Sequence, residues 1–220
     1  AHAALPPDAL RTVRRIAVQD RGRVKPLDSF ARETLQHITG SPRYGSEDPV
    51  DTVLAIMAEP SPWQARPMIE VPFRPLREAL GMDPHAPRIS YNDLVASRKL
   101  MRMLPAIGEK QQRDEKLTML EQETMDAFDR FVSFSRLTEQ QATLVPPASA
   151  LELVWLPVLP GPPGVGAGAG EPSGHPAERQ TAIREAWTAL MGDVRAGRAE
   201  AIGASARQLA ERLRAANPAA

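Results

Sequence analysis

The chain has 220 residues and 27 basic against 27 acidic side chains, so its formal net charge is zero. This balance argues against a nucleic-acid-binding domain, because such domains usually carry a basic excess. The sequence contains no cysteine, which excludes disulfides, thiolate nucleophiles and cysteine metal sites.

Cap residues, prolines and apolar spacing predict a mainly α-helical fold. We expect an irregular multi-helix domain with one long central helix, short extended segments and a flexible Pro/Gly loop. The central helix is predicted over residues 109–138, where apolar residues recur every three or four positions. Short extended segments are expected at 69–73 and 144–159. In chain order, the other predicted helices are residues 7–16, 28–40, 48–59, 75–80 and 90–104, and two within 176–216 that are separated near Gly197.

Particular residues mark where several of these helices begin and end. Asp28 or Ser29 is expected to cap the second helix, and Asp48 the third. Pro105 is expected to end the helix that starts at residue 90, because proline removes a helical hydrogen bond. The predicted organisation is therefore a helical domain over residues 1–160, a flexible Pro/Gly loop over 161–175, and a C-terminal helical pair over 176–220 that packs on the same domain.

The segment 18–40 (VQDRGRVKPLDSFARETLQHITG) combines a turn, several cations and a helix start. Its basic side chains, with two that precede it, are Arg14, Arg15, Arg21, Arg23 and Lys25. These cations could hold a carboxylate, a propionate or an acidic partner surface. Alternatively, the segment is a solvated turn whose cations pair locally. The acidic side chains available for local pairing are Asp20, Asp28 and Glu33. The sequence leaves both interpretations open.

No recognisable catalytic constellation is present. None of the four histidines pairs with another at a spacing of three or four residues, so a local metal site is not expected. His37 lies inside a predicted helix and could bind a haem iron axially, although such a histidine is more often a surface or packed residue. Ser/His/Asp orders, phosphate-binding glycine loops and HExxH are absent. No catalytic residue or metal ligand is predicted, and the question of enzymatic activity stays open.

The segment 18–40 resembles the start of the extracytoplasmic domain of System II cytochrome c biogenesis proteins of the CcsA/ResC or fused CcsBA type. The resemblance continues more loosely through SYNDLV (90–95), KLTMLEQE (116–123) and TLVPP (143–147). It implies a membrane assembly that passes haem across the membrane and presents it to the CxxCH motif of apocytochrome c. The family's tryptophan-rich haem loop and membrane histidines have no counterpart here, so no catalytic residue is carried over.

The resemblance therefore implies a periplasmic or other extracytoplasmic accessory domain, tethered to the membrane through segments absent from this chain. Expected partners are apocytochrome c and other parts of the biogenesis complex, without nucleic acid, and haem belongs to the full assembly. The expected partner-binding residues are Arg21, Gly22, Arg23, Lys25 and Pro26. One alternative is a free-standing periplasmic helical binding or chaperone-like protein with an exposed apolar groove, and another is an enzyme of unrecognised type.

Overall fold

The computed structural model describes residues 4–147, 155–159 and 175–216. The described residues form two compact units. The first unit draws on Ala1–Glu33, Arg43–Glu59 and Arg136–Ala220, and the second on Thr34–Pro42 and Pro60–Ser135. The predicted Pro/Gly loop at 161–175 lies outside the described residues except for His175.

The prediction of a mainly α-helical protein is confirmed. The helices are α1 (Pro7–Val13), α2 (Leu27–Thr39), α3 (Pro49–Ala58), α4 (Pro60–Gln64), α5 (Arg74–Leu80), α6 (Tyr91–Ser97), α7 (Lys99–Gln112), α8 (Met119–Thr138), α9 (Ala177–Ala196) and α10 (Ala199–Ala216). Six short strands, β1 (Ala17–Asp20), β2 (Arg23–Pro26), β3 (Pro67–Glu70), β4 (Arg88–Ser90), β5 (Thr143–Val145) and β6 (Leu156–Pro157), form three antiparallel pairs in sequence order.

Helix α3 is the buried centre of the first unit. All ten of its residues are buried, and the carboxylate of Asp48 caps it by accepting from the backbone N–H groups of Val50 and Asp51. Helix α9 packs on α3 and on α10, and α10 packs on α1. Gln140 joins two of these helices, since its Nε2 donates to the carbonyl of Met57 at 2.9 Å and its Oε1 accepts from the indole of Trp187 at 2.9 Å. The first unit thus has a core of packed helices, and the hydrogen bonds of Gln140 connect α3 to α9 inside it.

The second unit is organised by aromatic stacking and by one arginine. Tyr91 on α6 stacks on Phe131 of α8 with ring centroids 4.9 Å apart. Arg77 on α5 donates to three backbone carbonyls, those of Val71, Pro72 and Pro84, and so holds the segments on either side of its helix. The buried core of the second unit includes Met68, Leu76, Leu94 and Phe134.

Two predicted helix boundaries in the second unit are wrong. The helix that starts near residue 90 breaks at Arg98, whose φ of +54° is left-handed, and α7 continues through Pro105. A proline inside a helix removes one hydrogen bond, and the buried side chains of Leu100 and Ile107 anchor α7 on both sides of it. The long run from residue 109 is also divided. Residue 109 belongs to α7, which ends at Gln112. A capping box of Thr118 and Glu121 then starts α8 at Met119.

The prediction for the start of α2 is wrong as well. The helix begins at Leu27, so Asp28 lies in the first turn and is not the cap. There its carboxylate accepts from Arg32 one helical turn later at 2.9 Å. The buried side of α2 is formed by Leu27, Ala31, Leu35 and Ile38. Gly40 ends the helix with a φ of +74°, as the sequence predicts.

Candidate functional site

The segment that carries the predicted partner surface is a tight β-hairpin in the first unit. Strand β1 pairs with β2 from Ala17 opposite Pro26 to Asp20 opposite Arg23. The two loop residues, Arg21 and Gly22, both have positive φ, at +49° and +75°. This is the pattern of a type I′ turn, whose twist matches that of the flanking strands. We call Arg21, Gly22 and Arg23 the tip of the hairpin.

The base of the hairpin is fixed to the unit. Val18 is fully buried, and the backbone N–H of Leu27 donates to the carbonyl of Ile16 at 2.8 Å. Arg14 pairs with the carboxylates of Asp28, at 3.4 Å, and of Asp48. Asp48 also caps α3, so this arginine connects the hairpin base to the buried helix. A rigid base of this kind presents the tip in one orientation.

Lys25 binds acidic side chains of its own unit. Its Nζ lies 3.0 Å from Oδ2 of Asp20 and 2.5 Å from Oε2 of Glu33 on α2, and only 15% of its side chain is exposed. The hydrogen bond to Glu33 and the contact with Asp20 outweigh desolvation and raise the pKa of Lys25. Lys25 and Arg14 are therefore paired locally.

The tip behaves differently. Arg21 and Arg23 are exposed, and their guanidinium groups form no hydrogen bond or ion pair with any residue that the structure describes. Val24, beside them, is 53% exposed. A Cβ on Gly22 would meet no atom within 4 Å, so open space surrounds the turn. The tip offers two free cations and an apolar side chain to solvent.

The structure thus divides the predicted partner-binding residues into groups. Arg21, Gly22 and Arg23 lie together at the tip, whereas Lys25 points to the acidic pair and the exposed Pro26 lies at the base. Arg15 also lies at the base, before β1, and lines a cavity of about 140 Å³. The cavity is bounded by Thr12, Arg15, Ile16, Ala17, Leu144, Pro146, Trp155, Ala210, Leu213 and Arg214.

Sequence reasoning missed this cavity as a site. Its lining comes from the end of α1, the start of β1, the β5 region and the last turns of α10, which are far apart in the chain. The backbone N–H of Trp155 donates to Oε1 of Gln19 at 2.9 Å, which holds this tryptophan against β1. The single local signal was the tryptophan itself, which the sequence places in an extended, partly buried segment that packs on helices.

His37 lies on α2 beside a carboxylate of α8. Its Nε2, the nitrogen that would coordinate iron, lies 3.1 Å from Oδ2 of Asp129, and both residues belong to the second unit. Within the described part of the chain, no group of three His, Asp or Glu side chains is placed to hold a metal ion. Axial haem ligation by His37 stays a prediction.

Comparison with known proteins gives one local match. The chain is 33% identical over 72 residues to Protein NrfI of Wolinella succinogenes. The matched stretch covers 33% of this chain and 8% of NrfI, so most of NrfI has no counterpart in this chain. No family model matches. None of the helices in the described ranges is both long and apolar enough to cross a membrane.

Proposed function

We propose that this chain is an extracytoplasmic accessory domain of a larger membrane protein that takes part in cytochrome c biogenesis. In this proposal the tip of the hairpin docks on an acidic surface of a partner in the assembly or of apocytochrome c. The resemblance of residues 18–40 to System II proteins supports a connection with cytochrome c biogenesis, and the local match to Protein NrfI agrees with it.

The observation that carries the docking proposal is the conformation of Arg21. Residues other than glycine rarely adopt positive φ, and asparagine or aspartate tolerates it better than arginine does. Arg21 nevertheless holds a φ of +49° and finds no ion pair among the described residues in return. A strained position is a reason to look for a function there. The function available to this side chain is recognition of an anionic group by its guanidinium.

The proposal can be tested in cells that produce the full-length protein. We would introduce Arg21→Gln together with Arg23→Gln and measure covalently attached haem in c-type cytochromes. We expect holocytochrome to fall, because both free cations of the tip are lost while the turn keeps its backbone. Lys25 is unsuitable for this test, since removal of its ion pairs would also loosen the hairpin from α2.

A matched control replaces two exposed arginines that belong to the same unit but lie on other elements. Arg195→Gln with Arg212→Gln removes the same charge from α9 and α10 and should leave holocytochrome at the wild-type level. Equal maturation in the tip variant and the wild type, at equal protein abundance, would overturn the docking role. An equal fall in holocytochrome in the tip and control variants would show that the effect comes from the change in net charge.

The alternative of a free-standing chaperone-like protein requires an exposed apolar groove that can hold a protein segment. In the described part of the chain, the exposed large hydrophobic residues are Val24, Val95 and Met119, and each lies on a different element. Isolated apolar residues of this kind are ordinary for a protein surface. Cell fractionation separates the two proposals: a membrane-bound band much larger than 24.0 kDa supports the accessory domain, and a periplasmic band of 24.0 kDa supports the alternative.

A further inference from the structure

The cavity at the base of the hairpin adjoins a groove lined by arginines. The groove, of about 350 Å³, is bounded by Asp8, Arg11, Thr12, Arg15, Arg207 and Arg214. Thr12, Arg15 and Arg214 line both the groove and the cavity, so the two are neighbours. The cavity walls are mostly apolar and include Ile16, Leu144, Trp155 and Leu213. An apolar recess therefore opens beside a concentration of positive charge.

Among the residues that the structure describes, the cations of this groove are poorly neutralised. Four arginines face one carboxylate, and the contact that exists, between Arg207 and Asp8, is long at 3.8 Å. The guanidinium groups of Arg11, Arg15 and Arg214 form no hydrogen bond or ion pair with the described residues. Like charges placed together repel one another. A bound anion would relieve this repulsion and would receive bidentate hydrogen bonds from guanidinium groups.

We propose that the cavity and groove together bind a small amphiphilic anion: a short alkyl chain or a single aromatic ring that carries a carboxylate or a phosphate monoester. The apolar part would occupy the cavity against Trp155, and the anionic group would lie between Arg15 and Arg214. The volume sets the size of the ligand, because an apolar cavity of roughly 150 Å³ accepts a molecule as large as benzene. A cavity of about 140 Å³ thus takes one ring or a short chain.

This site is separate from the tip of the hairpin and does not depend on the docking proposal. Its residues come from α1, α10 and the β5 region, with Arg15 and Ile16 preceding the hairpin. Trp155 is held in place by its hydrogen bond to Gln19, and it is 7% exposed. This wall of the cavity is therefore fixed by contacts within the protein, which favours binding of a small molecule.

The test is calorimetric titration of the full chain with benzoate, phenyl phosphate and neutral benzyl alcohol, with the indole N–H resonance of Trp155 as a local probe. We expect saturable binding of the two anions, a shift of the Trp155 resonance, and binding of benzyl alcohol at least about tenfold weaker. Added salt should weaken binding of the anions and leave binding of benzyl alcohol unchanged. Equal affinity for benzoate and benzyl alcohol, or no saturable binding of either anion at millimolar concentration, would overturn the proposal.

Two sets of variants test the two parts of the site separately. Arg15→Gln with Arg214→Gln should weaken benzoate binding about tenfold or more, whereas Arg212→Gln, on α10 like Arg214 but outside the groove, should bind benzoate as the wild type does. Ala210→Leu should abolish binding by filling the cavity, with circular dichroism as the check of folding. Equal binding by the double variant and the wild type would overturn the role of the arginines. Binding to phosphatidylglycerol vesicles without binding of benzoate would also overturn the proposal, because it would make the groove a membrane-contact surface.

Discussion

The conformation of Arg21 gives a quantitative prediction about the hairpin. An ordinary L-residue in the left-handed region costs roughly 1–2 kcal/mol, and Arg21 has a φ of +49° in a turn that favours Asn-Gly. Arg21→Asn keeps Gly22 and removes most of this strain. We expect it to stabilise the first unit by about 0.5–1 kcal/mol. With a typical urea dependence, this shifts the unfolding midpoint upward by about 0.2–0.5 M.

The control for this prediction is Arg21→Gln, which removes the charge but keeps a side chain that is strained at positive φ. Its urea midpoint should equal that of the wild type, since Arg21 has no partner to lose among the described residues. A midpoint for Arg21→Asn at or below that of the wild type would refute the strain argument. Docking by the arginine predicts that both variants lower holocytochrome, while only Arg21→Asn raises the urea midpoint. This result would show that Arg21 is kept for function at a cost in stability.

Three further predictions concern the stability of the fold. Gln140→Ala should destabilise the first unit by about 2 kcal/mol or more in urea unfolding, because the buried indole N–H of Trp187 loses its acceptor. Asp48→Ala should cost about 1–2 kcal/mol in the same assay, since both the cap of α3 and the ion pair of Arg14 are lost. Glu121, which accepts from Lys110 and Thr118, has its pKa lowered to about 2 from 4.5. The ionised carboxylate therefore contributes its full stabilisation above pH 4.5 and loses it as the pH falls through about 2. The thermal midpoints of Glu121→Gln and the wild type should differ at neutral pH and become equal near pH 2.

Much of the helical content could be predicted because its signals are local. Asp48 followed by Pro49 defines the start of α3 without reference to any other part of the chain. Gly40 and Gly197 end α2 and α9 with positive φ, which glycine adopts without a steric penalty. At these helix ends, one or two residues determine the boundary, so the sequence is sufficient to predict it.

Boundaries fail where a local signal competes with packing or with another local signal. Pro105 is a strong breaker, but it costs α7 only one hydrogen bond, and Leu100 and Ile107 are buried on both sides of it. The break falls instead at Arg98, a residue type with no preference for left-handed backbone. The capping box of Thr118 and Glu121 was available as a signal for the start of α8, but the prediction began the helix at residue 109 and did not use it.

The candidate sites show the same contrast. Gly22 and the cations around it predict a turn with a basic surface, yet no feature of the sequence says which cation is paired and which is free. That distinction depends on two positions. Asp20 lies on the strand that faces Lys25, and Glu33 lies on α2, which follows the strand of Lys25. The cavity depends on still more distant residues, because Arg15 and Arg214 meet only when α10 packs on α1. Non-local contacts of this kind cannot be read from spacing.

The two sites lie at opposite ends of one rigid hairpin, and this arrangement makes them separable. Strand β1 has four residues, so the tip lies about 10 Å from the base at a rise of about 3.3 Å per residue. The Debye length in physiological salt is about 8 Å, and effects of substitutions more than about 10 Å apart usually add. The Arg21 and Arg23 variants should therefore bind benzoate as the wild type does, and the cavity variants should leave docking by the tip intact. Coupling between the two would require movement of β1, whose Val18 is fully buried.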